Sequence, residues 1–533
     1  MRFASMVSSV SLAVAAALVG CAAPSGTGTS TAGDADRPGL LDRGKAVVSD
    51  IGGALGGAFG GMDDKPMIGK LRPGAYEPSN EAIGDERDIN DRRVSHGLVP
   101  LPAVTQYANQ VLGKLKAASG VSNIPGKVLI VANDQLDAGA TPDGNIFVSL
   151  GYLRNLDNED QLAALLAHEL GHVLLHHHDS SWFGRKQKEM MSYFEDSALL
   201  KNTLENIVAG GNGTPAKPYT AGQQETLDRM LLLVKLNDRA LQPAWGRRQE
   251  SEADRIGTDL MIRAGYSVAD GMLPWLAKVA DWDAQQAKLR ADLAVQRQAS
   301  IDALSSQGRI DSATKVALDG AMKDVMEEMG RSHESGEKRL QELDVYTNKV
   351  HAGAALSPKP TVTPYTQLLQ QRDVKATVDG YREAFIARNQ IVARQFAQAT
   401  PTLRRLAGSG VIASHALPNY LLFEAQRGAG GSGGAGGAAG SEAALKRSLA
   451  ATEPTWEPFD SAAAYYGGRN QKAAVMEVGR SALVKFSNAP SAYPRLISLY
   501  VRHGLNDEAV KVVAECRRTQ AQMRLACEKA LKK

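Results

Sequence analysis

Apolar residues recur at helical spacing in two stretches of the chain. Leu162, Ala163, Leu166, Leu170, Val173 and Leu174 share one side of a helix that Asn158 or Asp157 can cap. Ala253, Ile256, Gly257, Leu260 and Ala264 form a stripe on a second helix, where Gly257 permits close packing and Gly265 can end the helix. Ahead of the first helix, Val128–Val131 reads as a buried strand, Thr141 to Gly144 is turn chemistry, and Ile146–Leu150 returns as a second strand. Residues from about Trp282 to Met329 read as long helix. After a proline-rich break at Pro358–Pro364 comes a helical segment, then the glycine-rich run Gly428–Gly440 as a flexible boundary, then a final helical part. Tyr466 and Tyr500 stand 34 residues apart there, and the segments beginning at Ala474 and Ala509 resemble one another, which is the period of tetratricopeptide (TPR) repeats.

The polar side of the first helix carries the chemistry. His168, Glu169 and His172 form the pattern HExxH; imidazoles at i and i+4 reach the same ion, and the glutamate beside the first can take a proton from a water on that ion. On the second helix Glu250 is a suitable third ligand. Asp254, four residues on, lies on the same face, where it can accept a hydrogen bond from a ligating imidazole and hold its tautomer. A rival ligand is His178, ten residues after His168, where a three-histidine site would place it. The glycine such a site requires is Leu175, so His176, His177 and His178 read better as a helix end.

These residues resemble the BepA/HtpX-like gluzincin zinc metalloproteases, a family related to the CAAX prenyl proteases. The likeness spans roughly Glu77–Val350 and rests on HExxH, on Glu250 and on the segment Asp137–Leu153 before the active-site helix. Asp137, Gly139 and Asp143 replace the Asn, Phe and Gly usual there, which puts substrate contacts in question. The family's H-P-x-x-x-x-R element is matched, without its proline, from His333 to Arg339. The resemblance implies that His333 lies near the metal, as a gate or as a stabiliser of the oxyanion, and that Arg339 anchors its segment. It implies an α+β fold: a mainly helical zincin-type metalloprotease domain with a small β-hairpin or sheet, followed by an all-α TPR-like domain.

The N-terminus adds a compartment. An apolar run ending at Cys21 looks like a lipoprotein signal, too short to span a bilayer, that makes Cys21 the lipidated first residue. Cys516 and Cys527 then remain as a disulfide pair or as two buried thiols. Domains are expected at 1–20 (signal peptide), 21–75 (Gly-rich tether), 76–355 (protease, with helical insertions at about 180–245 and 282–329), 356–426 (helical segment), 427–441 (Gly-rich linker) and 442–533 (TPR-like repeats). The 43% hydrophobic content suits a globular protein, and a formal charge of +3 without basic runs argues against nucleic acid.

Together these features predict an endopeptidase with one Zn²⁺ per chain, bound by His168, His172 and Glu250, in which Glu169 shuttles the proton. Cys21 as lipid anchor, followed by Ala22 and not by the aspartate that commonly signals inner-membrane retention, points to the outer membrane, facing the periplasm. By resemblance its substrates there are misfolded or stalled envelope proteins, and the repeats recruit them or the outer-membrane assembly machinery. The alternative is an envelope chaperone or scaffold with a latent protease site.

Overall fold

The computed structural model describes residues 65–178, 242–307, 336–352, 363–429, 434–520 and 523–532. Cys21, His333, most of the first insertion and the later part of the second lie outside them. The chain divides into two compact units. One comprises Met62–Ser181, Gln249–Trp282 and Ser335–Lys533; of the other, only residues 242–248 and 283–307 are described.

The larger unit opens with a 3-10 turn, Met67–Lys70, followed by strand β1 (Gly74–Ala75) and helices α1 (Asp85–Ser95) and α2 (Pro102–Ser119). A proline in the first turn starts α2, and Gly120, at φ 76°, ends it. β2 (Val121–Ser122) pairs in parallel with β1. A second sheet follows from β3 (Val128–Val131), β4 (Ala138–Ala140) and β5 (Ile146–Ser149).

Here the structure departs from a simple hairpin of two strands. The two apolar runs, β3 and β5, lie parallel, while the short Ala138–Ala140 segment is the antiparallel partner of β5 and forms the sheet's edge, in the order β3-β5-β4. All four β5 residues are buried, as a central strand covered on both faces should be. Three alanine and glycine residues carry no apolar pattern, which is why the edge strand was not legible. The strand also ends at Ser149; Leu150 already begins α3 (Leu150–Asn155), whose N-cap is the Ser149 side chain.

α4 (Glu159–Leu174) is the central helix, capped by Asn158 and buried along its whole length. α5 (Gln242–Ala264) follows, ending at Gly265 with φ 80°. α6 (Met272–Ser306) is one 35-residue helix, with Leu289, Leu293 and Val295 exposed on its later part. α7 (Gly336–Val350) is the last helix before the C-terminal array. No helix among the described residues is long and apolar enough to cross a membrane.

The rest of the described residues form a helical array: α8 (Thr363–Gln370), α9 (Arg372–Val392), α10 (Phe396–Gly408), α11 (Ala416–Gly428), α12 (Gly434–Ala450), α13 (Glu457–Gly467), α14 (Lys472–Lys485), α15 (Ala492–Arg502), α16 (Asn506–Thr519) and α17 (Arg524–Ala530). The glycine-rich run expected as a flexible linker is helical from Gly434 onward. Ala444, Leu445 and Ser448, further along α12, are buried, so one end of the helix is fixed by packing that the glycine count does not reveal. The array is also docked on the part of the chain that precedes it. From α1, the Val94 carbonyl accepts from Trp456 N–H at 3.0 Å and Asp91 accepts from Ser491 N–H at 2.7 Å; Tyr365 of α8 donates to the Leu153 carbonyl at 3.1 Å.

Candidate metal centre

Three features of α4 bring its functional side chains into position. Asn158 Oδ1 accepts from Gln161 N–H at 2.8 Å and fixes the start of the helix. Helical spacing then sets His168, Glu169 and His172. Finally, two glycines let α5 approach closely. A Cβ on Gly171 would lie 3.1 Å from the Ala253 backbone, and one on Gly257 would lie 3.1 Å from His168 N and 3.0 Å from Met272 Cε.

That approach assembles a buried cluster. One ligand atom each from His168, His172 and Glu250 lies within 4.8 Å of the others, and this is the group of metal-ligand character found among the described residues. His168 Nε2 and His172 Nε2 are 3.1 Å apart; the Glu250 oxygens lie 3.5 Å from the first and 3.4 Å from the second. Ligand bonds of about 2.0–2.1 Å in a tetrahedron give edges of about 3.3 Å. The donors therefore fit a small tetrahedral cation with one position left over. Burial holds the His172 imidazole well below its ordinary range, so it is neutral, as a ligand must be.

Charge balance points the same way. Glu169, Glu250, Asp254 and Arg339 are all 1–3% exposed. Three carboxylates against one guanidinium leave a formal charge of −2, which a divalent ion would neutralise. Arg339 is bidentate on Asp254, at 2.8 Å from Nε and 2.7 Å from Nη2, and its Nη1 lies 3.0 Å from Glu250. Burial alone would raise the Asp254 carboxyl; Arg339 outweighs it and holds Asp254 at about 2. Asp254 Oδ1 in turn lies 2.9 Å from His168 Nδ1, leaving Nε2 for the ion. The Trp275 indole lies under both, 5.2 Å from the His168 ring and 5.6 Å from the Arg339 guanidinium.

Glu169 faces the sheet edge, where its Oε2 accepts from the Ala140 N–H at 2.9 Å. The hydrogen bonds from Ser149 N–H to the Asp137 carbonyl and from Thr141 N–H to the Asn145 carbonyl show that odd-numbered residues bond inward to β5. Ala138 and Ala140 therefore present their backbone groups on the outer side, beside the base. Asp143, which replaces the family's glycine, accepts from Ile83 and Gly84 N–H at 2.9 and 2.7 Å. It secures a loop. Burial, followed by the Glu169 charge, raises the Tyr152 phenol, which stays protonated next to the site.

Of the other residues singled out in the sequence, His178 is not in the cluster, its ring lying 6.0 Å from that of His172. Cys516 and Cys527 form a disulfide between α16 and α17, with Cα atoms 6.6 Å apart. His333 and Cys21 fall outside the described residues. Two contributions were not legible beforehand. Arg339 enters the site itself, and His177 lies with its Nδ1 2.9 Å from His172 Nδ1.

Residues 102–347 match the family model of peptidase family M48. The chain is 26% identical over 225 residues to the beta-barrel assembly-enhancing protease of Yersinia pestis, which covers 42% of this chain and 43% of that protein. It is 27% identical over 213 residues to the same-named protease of Escherichia coli (39% and 40% covered). It is 28% identical over 162 residues to a mitochondrial metalloendopeptidase of Schizosaccharomyces pombe (30% and 40%). The matched region thus spans less than half the length of each of these relatives.

Proposed function

We propose that this chain, whose residues 102–347 form an M48 peptidase domain, is a zinc-dependent endopeptidase that cleaves misfolded or stalled proteins of the bacterial envelope. The observation that carries the reading is the buried His168, His172 and Glu250 cluster with Glu169 set between it and an open strand edge. One Zn²⁺ per chain, when bound, supplies a Lewis acid for a scissile carbonyl and lowers the pKa of a water. An extended substrate pairs with the outer side of β4 through backbone groups, so recognition depends little on sequence. Glu169 takes the proton from the attacking water and returns it to the leaving amide nitrogen. Arg339 and Asp254 keep His168 oriented throughout.

We read the setting from the apolar run before Cys21 and from the relatives' printed name, which refers to β-barrel assembly. Cys21 is read as the lipid anchor, placing the protein in the periplasm at the outer membrane. The helical hairpins of α13 to α16 begin 34–35 residues apart, at Glu457 and Ala492 and at Lys472 and Asn506, and are read as TPR-like units that recruit substrate or assembly partners. His333 is read as a gate or oxyanion group.

The decisive experiment is Glu169→Gln. Zinc by elemental analysis should stay near one per chain, while cleavage of an unfolded substrate falls by about 10²–10⁴-fold. Unchanged complementation of a deletion strain by this variant would instead assign the function to the helical array, as a chaperone or scaffold.

A further inference from the structure

α4 stops on an unusual residue. His176 has a left-handed backbone, φ 53°, where glycine is the common choice. Its N–H donates to the Val173 carbonyl at 3.1 Å, and the N–H of His177 donates to the His172 carbonyl at 3.0 Å. This pair of bonds is the Schellman helix stop, which returns the second residue past the cap against the last turn. The His176 ring is held by stacking on Tyr76, with centroids 5.2 Å apart and planes at 10°. The Gln249 side chain of α5 donates to the His177 carbonyl at 3.3 Å, tying the turn to the helix that carries Glu250.

The returned position commonly makes an apolar contact. Here it holds an imidazole that meets another imidazole. His172 faces Glu250 with Nε2, so Nε2 is its ligand atom and Nδ1 carries the proton. That N–H requires an acceptor, and His177 Nδ1 lies 2.9 Å from it. His177 must then be protonated on Nε2, where the nearby charge is the Glu252 carboxylate at 3.4 Å. His168 is served in the same way by Asp254.

We propose that His177 is a positioning residue for the metal centre: it accepts the Nδ1 proton of His172, fixes that ring's tautomer and direction, and is placed by the Schellman turn at His176. The inference rests on the zinc reading of the site. It also accounts for two of the three consecutive histidines without a third histidine ligand: His176 makes the turn and His177 orients a ligand.

The test separates hydrogen bonding from shape by comparing two substitutions. His177→Phe keeps a ring of similar size but has no acceptor, whereas His177→Asn leaves a void but puts an oxygen near the Nδ1 position. Zinc affinity, measured by competition with a chromophoric chelator, should fall by about 10–100-fold in His177→Phe and be largely restored in His177→Asn. Thermal melts of both proteins confirm folding. In ¹⁵N-histidine NMR spectra of the zinc-free protein, His172 should be protonated on Nδ1 in wild type and lose that preference in His177→Phe. Wild-type affinity in His177→Phe, or Asn no better than Phe, overturns the inference. Failure of the wild-type protein itself to hold zinc overturns the underlying reading instead.

Discussion

The metal centre and the helical array are held by different physics. Around the ion site charged groups are buried: Glu169, Glu250, Asp254 and Arg339 are each almost wholly covered by protein. Two helices there begin on side-chain caps, Ser149 for α3 and Asn158 for α4. In the array the interior is mostly apolar and aromatic, with Trp456, Phe459 and Phe486 in mutual contact and Glu453 as a buried carboxylate that accepts from the Ala416 N–H. None of α13, α14, α15 or α16 has a side-chain cap. The array's ion pairs, such as Arg388 with Glu457, are at the surface. Packing is enough to make a scaffold. A metal site has to bury charge, and buried charge stabilises only while every partner is present.

The largest effect should therefore come from removing one partner. Arg339→Met leaves Asp254 and Glu250 buried without their cation and should destabilise the zinc-free protein by about 3–5 kcal/mol. Removing the carboxylate as well, in Arg339→Met with Asp254→Leu, should recover much of that stability without restoring zinc binding. Urea unfolding with chelator present measures the first, and elemental analysis the second. A single variant as stable as wild type would mean that the network contributes only geometry, and the contrast with the array would fail.

Legibility in the sequence followed the same division. Within each of the pairs His168/His172 and Glu250/Asp254 the four-residue spacing was legible from helical geometry; that the two pairs meet, with His168 and Asp254 86 positions apart, was legible only through the chemistry of a third ligand and the resemblance to a family motif. Arg339 is 85 positions from Asp254, so only the tertiary fold brings them together. His177 depends on one left-handed residue with no glycine to signal it. Edge strand β4 has no side chains large enough to form a pattern. In the array, glycine content suggested a linker where the packing of the following turns makes a helix.

A smaller effect should appear on acidification. Asp254 sits at about 2, below its ordinary 3.8, so its contribution is complete above pH 4 and is lost as pH falls toward 2. The displacement corresponds to about 2 kcal/mol. In zinc-free protein, amide exchange over this range should accelerate in α4, α5 and α7 before it does in α15 and α16. Simultaneous loss of protection in both regions would show that they unfold as one cooperative body and would remove the energetic distinction.

The smallest effect tests the caps. Asn158 Oδ1 accepts from the Gln161 N–H, and its Nδ2 donates to the Asp270 carbonyl at 3.2 Å. Asn158→Ala removes both and should cost about 1 kcal/mol, read from urea midpoints with the slope unchanged. Zinc content should hold, because His168 lies ten residues along α4, nearly three turns from the cap. The array offers the counterpart at Ser491, which precedes α15 without a side-chain cap bond and whose N–H bonds to Asp91. Ser491→Ala keeps that N–H, loses only the long 3.4 Å bond that its Oγ donates to the Asp91 carbonyl, and should change stability by less than about 0.5 kcal/mol. Equal losses at the two positions would mean that α4 is held by its surroundings as the array helices are, and that its cap is incidental.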